Sequence, residues 1–369
     1  MANDATKAMT VRKGQCIVLY ACDIGVSVDL DRAGPLAEAG GRGTTVRLDR
    51  RMPKYFDFSP EPLCIVRDTT PLRIGAFETL PGVEMLLYDF GAVSVSFSIP
   101  IRGPLGELTA LTCELAGNTA LVAEARRQVE LLMDSIRAAI VKPGTPDLFE
   151  DYVILHVAEF ESATPPAELV GESAHDVARV LRAERDPLSP QEVADAMAHK
   201  LSYGRDDLTV VDWNAALVVD RELDDVRAVL EFANVELLEL RFLDRRLDRS
   251  LDRAYEIVAR AEAKGSGSLK SDLRRLVEMQ LDGAVLFERF SNAPKLLGDQ
   301  YLARVYRLAT QRFHVAEWNS GILRKLDTME GLYEKMAERA SSYRMEILEW
   351  IIILLIAFEI VMSFIWRMG

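Results

Sequence analysis

The stretch AVSVSFSIPI, residues 92–101, alternates Val93, Val95, Phe97, Ile99 and Ile101 with Ser94, Ser96 and Ser98. A period of two sends successive side chains to opposite faces of a strand, so one face of this segment points into a core. Immediately upstream, VEMLLYDFG reads as its hairpin partner, with the turn near Asp89 to Gly91. CIVLY from Cys16, DYVILHVAEF from Asp151 and DLTVVDWNAALVVD from Asp207 have the same β-branched character, and each reads as a strand. Glycine, proline and arginine crowd residues 33–53 into a loop.

After Asn118 the period changes. Leu121, Val122, Ala125, Val129, Leu132, Met133, Ile136 and Ile140 recur three and four apart, which predicts an amphipathic helix that stops at Lys142, Pro143 and Gly144. Ser189, Pro190 and Glu192 supply the cap, first-turn proline and capping-box acid of a short helix. From Arg221 the chain reads as helical to its end. A long helix runs to about Ala263, GSGS from Gly265 is a linker, a second helix covers Leu269 to about Phe290, and a third spans QYLARVYRLATQRF. Ile322, Leu326, Met329, Tyr333, Met336, Ala340, Tyr343, Ile347 and Trp350 then alternate steps of four and three, the pattern of a helix packed along its length, within the chain or against a second copy.

The fold class expected is α+β: a mixed sheet-and-helix domain, a long coiled-coil-like helical region and a C-terminal transmembrane helix. Residues 1–60 form an N-terminal extension that is part of the β region. Residues 61–220 form the α+β domain, 221–349 a helical stalk with a linker near 264–268, and 350–366 the membrane span.

That span is the run LEWIIILLIAFEIVMSFIWRMG, residues 348–369. Trp350 to Trp366 makes about 25 Å of helix against a hydrocarbon core of about 30 Å. Its Leu, Ile, Phe and Val residues favour insertion by about 3.3 to 6.6 kcal/mol, and the central acid Glu359 opposes it by about 2.5 to 3.5. Trp350 and Trp366 suit the two interfaces, while Lys335, Arg339 and Arg344 on the near side hold the bulk of the chain at the cytoplasmic face of an inner membrane. Glu359, with Ser363 one turn on, is positioned to hydrogen-bond another helix in a homo-oligomer. Membrane lipid and a second copy are therefore the expected partners.

The net charge of −13 and pI near 5.0 argue against direct nucleic-acid binding. One basic feature stands out: Arg241, Arg245, Arg249 and Arg253 recur every fourth residue and line one stripe of the long helix. Asp244, Asp248 and Asp252 follow each of the first three arginines by three residues, so local ion pairs are expected to neutralise the stripe, leaving contact with RNA or an acidic partner as the alternative. Cys16, Cys22, Cys64 and Cys113 lack metal-ligand spacing and read as reduced core residues. His156, set in an apolar strand, reads as a satisfied core residue. His175, His199 and His314 are scattered, and no nucleophile elbow or phosphate-loop motif is present. No cofactor or metal is expected, and no catalytic residue.

YLARVYRLATQRF, the following Trp318 and the ending LEWIIILLIAFEIV together resemble the required-for-meiotic-nuclear-division family, which is built around a domain of unknown function. LLYDFGAVSVSFSIPI and DLTVVDWNAALVVD resemble that family's strand pair and the strand before its long helix. The resemblance implies a membrane-tethered α+β domain on a helical stalk and a cytoplasmic partner such as the ribosome, since mitochondrial members support organellar translation; an Ala- and Arg-rich composition with no transit peptide favours a bacterial member. The expectation is a tail-anchored, oligomerising, non-enzymatic scaffold or adaptor. The alternatives are an enzyme using Asp206, Asp207 or Glu159 in a cleft of the α+β domain, and a purely structural envelope protein.

Overall fold

The computed structural model describes residues 9–40, 46–49, 60–162, 173–264 and 299–368, with 166, 170, 171, 274 and 277; its side-chain description leaves out 46–49, 260–264, 336, 339–348 and 357–368. The chain divides into two compact units, residues 1–242 with 289–316, and residues 243–288 with 317–369.

The first unit is built on a mixed sheet of nine strands. In spatial order these are β11 (Lys200–Leu201), β12 (Leu208–Val211), β13 (Ala215–Val219), β10 (Phe149–Phe160), β1 (Thr10–Asp23), β8 (Ala92–Pro104), β7 (Val83–Leu87), β4 (Leu63–Arg67) and β3 (Val46–Asp49). β10 and β13 pair in parallel, and the remaining neighbours are antiparallel. Two short ribbons accompany the sheet, β2 (Gly25–Val28) with β9 (Ile140–Pro143) and β5 (Arg73–Ile74) with β6 (Phe77–Glu78). β1 sits near the middle, with Val18 opposite Phe97 on one side and Val153 on the other, and its residues 16–22 are buried on both faces. A near-continuous apolar run is what a strand covered on both sides requires.

The helices are α1 (Leu30–Gly40), α2 (Leu108–Leu115), α3 (Thr119–Ile136), α4 (Ala174–Arg182), α5 (Pro190–Ala196), α6 (Asp224–Lys264), α7 (Gln300–Arg312) and α8 (Val315–Met368). One face of the sheet carries Val18, Tyr20, Val93, Val95, Phe97 and Leu155 into a single core with residues of α1 to α4. The hairpin read from VEMLLYDFG is present: β7 pairs with β8, and Tyr88 N–H donates to Ala92 O at 2.9 Å. Ser189 caps α5 by accepting from Glu192 N–H at 3.2 Å, with Pro190 at its first position.

Several sequence expectations are corrected. The loop expected over residues 33–53 contains helix α1 and strand β3; Pro35 lies inside α1, which Asp29 starts by accepting from Arg32 N–H at 3.1 Å. Helix α3 ends at Ile136 rather than at residue 142, and Ile140 starts a strand. DLTVVDWNAALVVD is two strands, because Asp212 N–H donates to Ala215 O and Asp212 Oδ1 accepts from Trp213 N–H, folding the chain back on itself. The linker and second helix expected over 265–290 lie outside the described residues.

The tail-anchor is also corrected. Among the described residues no helix is long and apolar enough to cross a membrane, so the C-terminal transmembrane helix drops out of the fold class, leaving α+β with a large mixed sheet. Helix α8 is a 54-residue element that starts at Val315 and is charged through most of its length. The side chains of Glu359, Ser363 and Trp366 lie outside the described residues.

Candidate functional site

Helix α6 presents an unusual face. Every residue from Val229 to Glu239 is buried, so the helix is enclosed all round for about three turns, and among them are Glu231, Asn234, Glu236 and Glu239. The serine side of β8 makes part of this enclosure. Ser94 and Ser96 are 1% and 4% exposed, and Arg227 of α6 donates to Ser96 Oγ at 3.0 Å and to Glu84 Oε1 at 2.7 Å. Small hydroxyl side chains let a second helical layer approach the sheet, so both its faces are covered.

Each buried acid has its own surroundings. Glu231 lies 3.6 Å from Arg227, and burial keeps its carboxyl above the usual range despite that cation. Glu236 accepts from the Tyr306 hydroxyl of α7, and burial pushes its pKa up from 4.5 to about 7. Glu239 is raised further, by burial and then by the neighbouring charge of Asp23, and its Oε1 has no hydrogen-bond partner among the described residues.

A second cluster joins α4, α5, the β12–β13 turn and α7. The nearly enclosed Asp212 carboxylate accepts from Arg182 Nε at 3.0 Å and Arg312 Nε at 2.7 Å. Asp195 accepts from both arginines, at 2.5 and 2.8 Å, and Glu192 from Arg182. Tyr152 donates from its hydroxyl to Asp212 O at 3.1 Å while its ring meets Phe313 edge-on, and the Trp213 ring lies 5.8 Å from that of His314, whose φ is 54°. Both arginines are matched by acids, so the cluster works as a latch between elements.

The arginine stripe of α6 divides. Arg241 donates to Glu150, whereas Arg245, Arg249 and Arg253 are exposed. The expected neutralisation within the helix is replaced by a cation of α8: Lys325 Nζ lies 2.6 Å from both Asp244 Oδ1 and Asp248 Oδ1. Lys325 has lost some hydration, and the two carboxylates still raise its pKa. In this second unit Leu243, Leu247, Ala254 and Ile257 of α6 are buried at near-heptad spacing, as are Ile322 and Met329 of α8. Farther along α8, Trp350, Ile351, Ile352, Ile353, Leu354, Leu355 and Ile356 are all exposed, between 47% and 66%.

The acids considered for catalysis are engaged separately. Glu159 pairs with Arg12 on the surface at 2.8 Å, Asp207 accepts from Tyr203 N–H and Gly204 N–H, and Asp206 is exposed. Among the described residues no three or more His, Cys, Asp or Glu side chains are grouped to hold a metal ion. His156 is satisfied, with Nε2 2.8 Å from Asp220 O, and burial lowers its pKa. The buried acids of α6 escape a reading of sequence because Glu in a helix is ordinarily solvent-facing; the signal was the apolar density of LEFANVELLEL, which leaves no polar face wide enough for water.

A mixed sheet covered on both faces, with a buried-acid helix as one cover, defines an α+β protein whose sheet and first helical layer lie in the N-terminal two thirds. The chain belongs to the family described as uncharacterized protein MJ0711, N-terminal domain, whose model matches residues 13–225. That match runs from β1 to the first residues of α6. The chain is similar to uncharacterized protein MJ0711 of Methanocaldococcus jannaschii, 22% identical over 236 residues, which covers 63% of this chain and 72% of the relative.

Proposed function

We propose that the protein is an oligomerising scaffold whose copies associate through the distal part of α8, leaving the α+β unit to recruit a partner protein. The observation that carries this reading is the exposed run Trp350–Ile356. Seven consecutive helical residues sweep almost two turns, so the helix is apolar all round there, and a helix of that kind needs cover on every side. Burying one such side chain contributes about 1.5 to 3 kcal/mol, and monomeric proteins rarely leave so large an apolar surface in water.

The second copy is favoured as the cover by register. Trp350 and Leu354 continue the four-three pattern in which Ile322 and Met329 are buried, so the same seam geometry can serve association at the exposed run. The test is light scattering coupled to size exclusion in detergent-free buffer, comparing the full chain with one ending at Glu349. The expected result is a defined multimer for the full chain and a monomer for the shortened one. A monomeric full chain, or a multimer unaffected by the truncation, overturns the proposal.

A further inference from the structure

Lys325 of α8 fixes how two charged stripes of the second unit are turned. By taking Asp244 and Asp248 it occupies acids that would otherwise neutralise the arginines beside them on α6. Arg245, Arg249 and Arg253 are exposed, as is Asp252, and none of the four forms an ion pair among the described residues. At about 100° per residue the three arginines lie about 80 to 160° around α6 from the edge where Asp244 and Asp248 meet Lys325.

Helix α8 carries the opposite charge at the same spacing. Glu330, Glu334 and Glu338 recur every fourth residue, are exposed, and form no ion pair among the described residues. They lie about 140 to 180° around α8 from Lys325, on the side turned from α6. Arg324 and Lys335 border them along one edge, and Leu323, 46% exposed, lies on the same side two turns before Glu330. Each stripe therefore repeats every 6 Å or so along its helix, and each is turned from the contact between the two helices, so the chain's own glutamates are out of reach of its arginines.

We infer that Arg245, Arg249 and Arg253 of one copy pair with Glu330, Glu334 and Glu338 of a second copy. About a two-fold axis the contact forms twice, α6 of each copy against α8 of the other. The inference rests on the self-association proposed from Trp350–Ile356: the apolar run supplies affinity, while the charged stripes choose the face and the register.

Exchanging the charges in the full chain tests the contact. One variant carries Arg245→Glu, Arg249→Glu and Arg253→Glu, and the other Glu330→Arg, Glu334→Arg and Glu338→Arg; all six positions are exposed. Should either triple variant fail to fold, Arg249→Glu and Glu334→Arg at the stripe centres take their place. Sedimentation at low salt is expected to give each variant alone a dissociation constant about ten- to a hundredfold above the parent's, and the parent's own is expected to rise with added chloride. An equimolar mixture of the two variants is expected to regain parental association as heteromers, because opposite stripes then meet in both contacts. A monomeric parent overturns the inference together with the self-association beneath it. A parental multimer that both variants match, with no preference for heteromers in the mixture, overturns the inference alone and leaves the apolar seam standing. Saturable binding of RNA or polyglutamate by the parent, lost in the arginine variant while the multimer is unchanged, overturns it in favour of a foreign polyanion.

Discussion

The Tyr306 hydroxyl donates to the Glu236 carboxylate across 2.5 Å, tying α7 to the middle of α6. The contact matters because Glu236 is only 5% exposed, and burial outweighs the hydrogen bond in setting its pKa at about 7 against 4.5 when unfolded. A carboxyl with a raised folded pKa binds its proton more tightly in the native state. Its contribution to stability is therefore complete below about pH 4.5 and is lost as pH rises through 7. The difference corresponds to about 3 kcal/mol. Denaturant midpoints measured from pH 5 to 8 should fall for the parent and fall less for Glu236→Gln, which keeps an acceptor for Tyr306 without the charge. Glu231 and Glu239 shift in the same direction, so the comparison between parent and variant, not the parent alone, isolates Glu236.

Asp212 gives a prediction of a different kind. Its carboxylate is 3% exposed and shared by Arg182 and Arg312. Asp212→Ala leaves two partly buried guanidiniums short of an acid and should cost about 3 to 5 kcal/mol in urea unfolding. Arg12→Ala removes an ion pair to Glu159 whose members are 66% and 50% exposed, and it should cost less than about 1 kcal/mol. Equal effects of the two changes would show that the latch does not depend on burial.

How much of this was legible in the sequence depends on which force set each element. The alternation of Val93 to Ile101 and the cap at Ser189 are local signals whose elements formed where the pattern lay, and the helical spacing from Leu121 did so as far as Ile136, beyond which Ile140 starts a strand. Helix α1 was hidden because Pro35 reads as a breaker, yet Leu30, Ala33, Gly34 and Ala37 are buried three and four apart, and tertiary packing outweighs one missing hydrogen bond. Nothing local to the serines of β8 announces that a helix from beyond residue 220 lies over them. The acids on α6 and the recruitment of Asp244 and Asp248 by Lys325, 81 and 77 residues away in sequence, are long-range facts of the same sort.

The thiols provide a direct check of the core. Cys16 and Cys22 are fully buried, and burial lifts both pKa values far above that of a free thiol; Cys64 is 5% exposed. Cys113 is partly exposed, with Sγ donating to Ala183 O at 3.0 Å. A thiolate-selective disulfide reagent should therefore label Cys113 in the native protein and the remaining three only after unfolding. Rapid labelling of Cys16 or Cys22 would mean that β1 is not the central strand described.

Gly91 tests the close approach on which the β7–β8 turn depends. Its φ is +96°, and an added Cβ would lie 1.9 Å from Gly25 O, while Ile24 N–H donates to Gly91 O at 2.9 Å. The backbone conformation and the contact are separate costs, the first about 1 to 3 kcal/mol and the second about as much again. Gly117, at φ +67°, has nothing within 4 Å of such a Cβ, so Gly117→Ala carries the first cost alone. Thermal unfolding should accordingly place Gly91→Ala well below Gly117→Ala, with a gap of about 1 to 3 kcal/mol attributable to the Gly25 carbonyl. A vanishing gap would mean that the turn can move away from β2 without cost, and that the Ile24–Gly91 hydrogen bond does not hold the β2–β9 ribbon to the sheet.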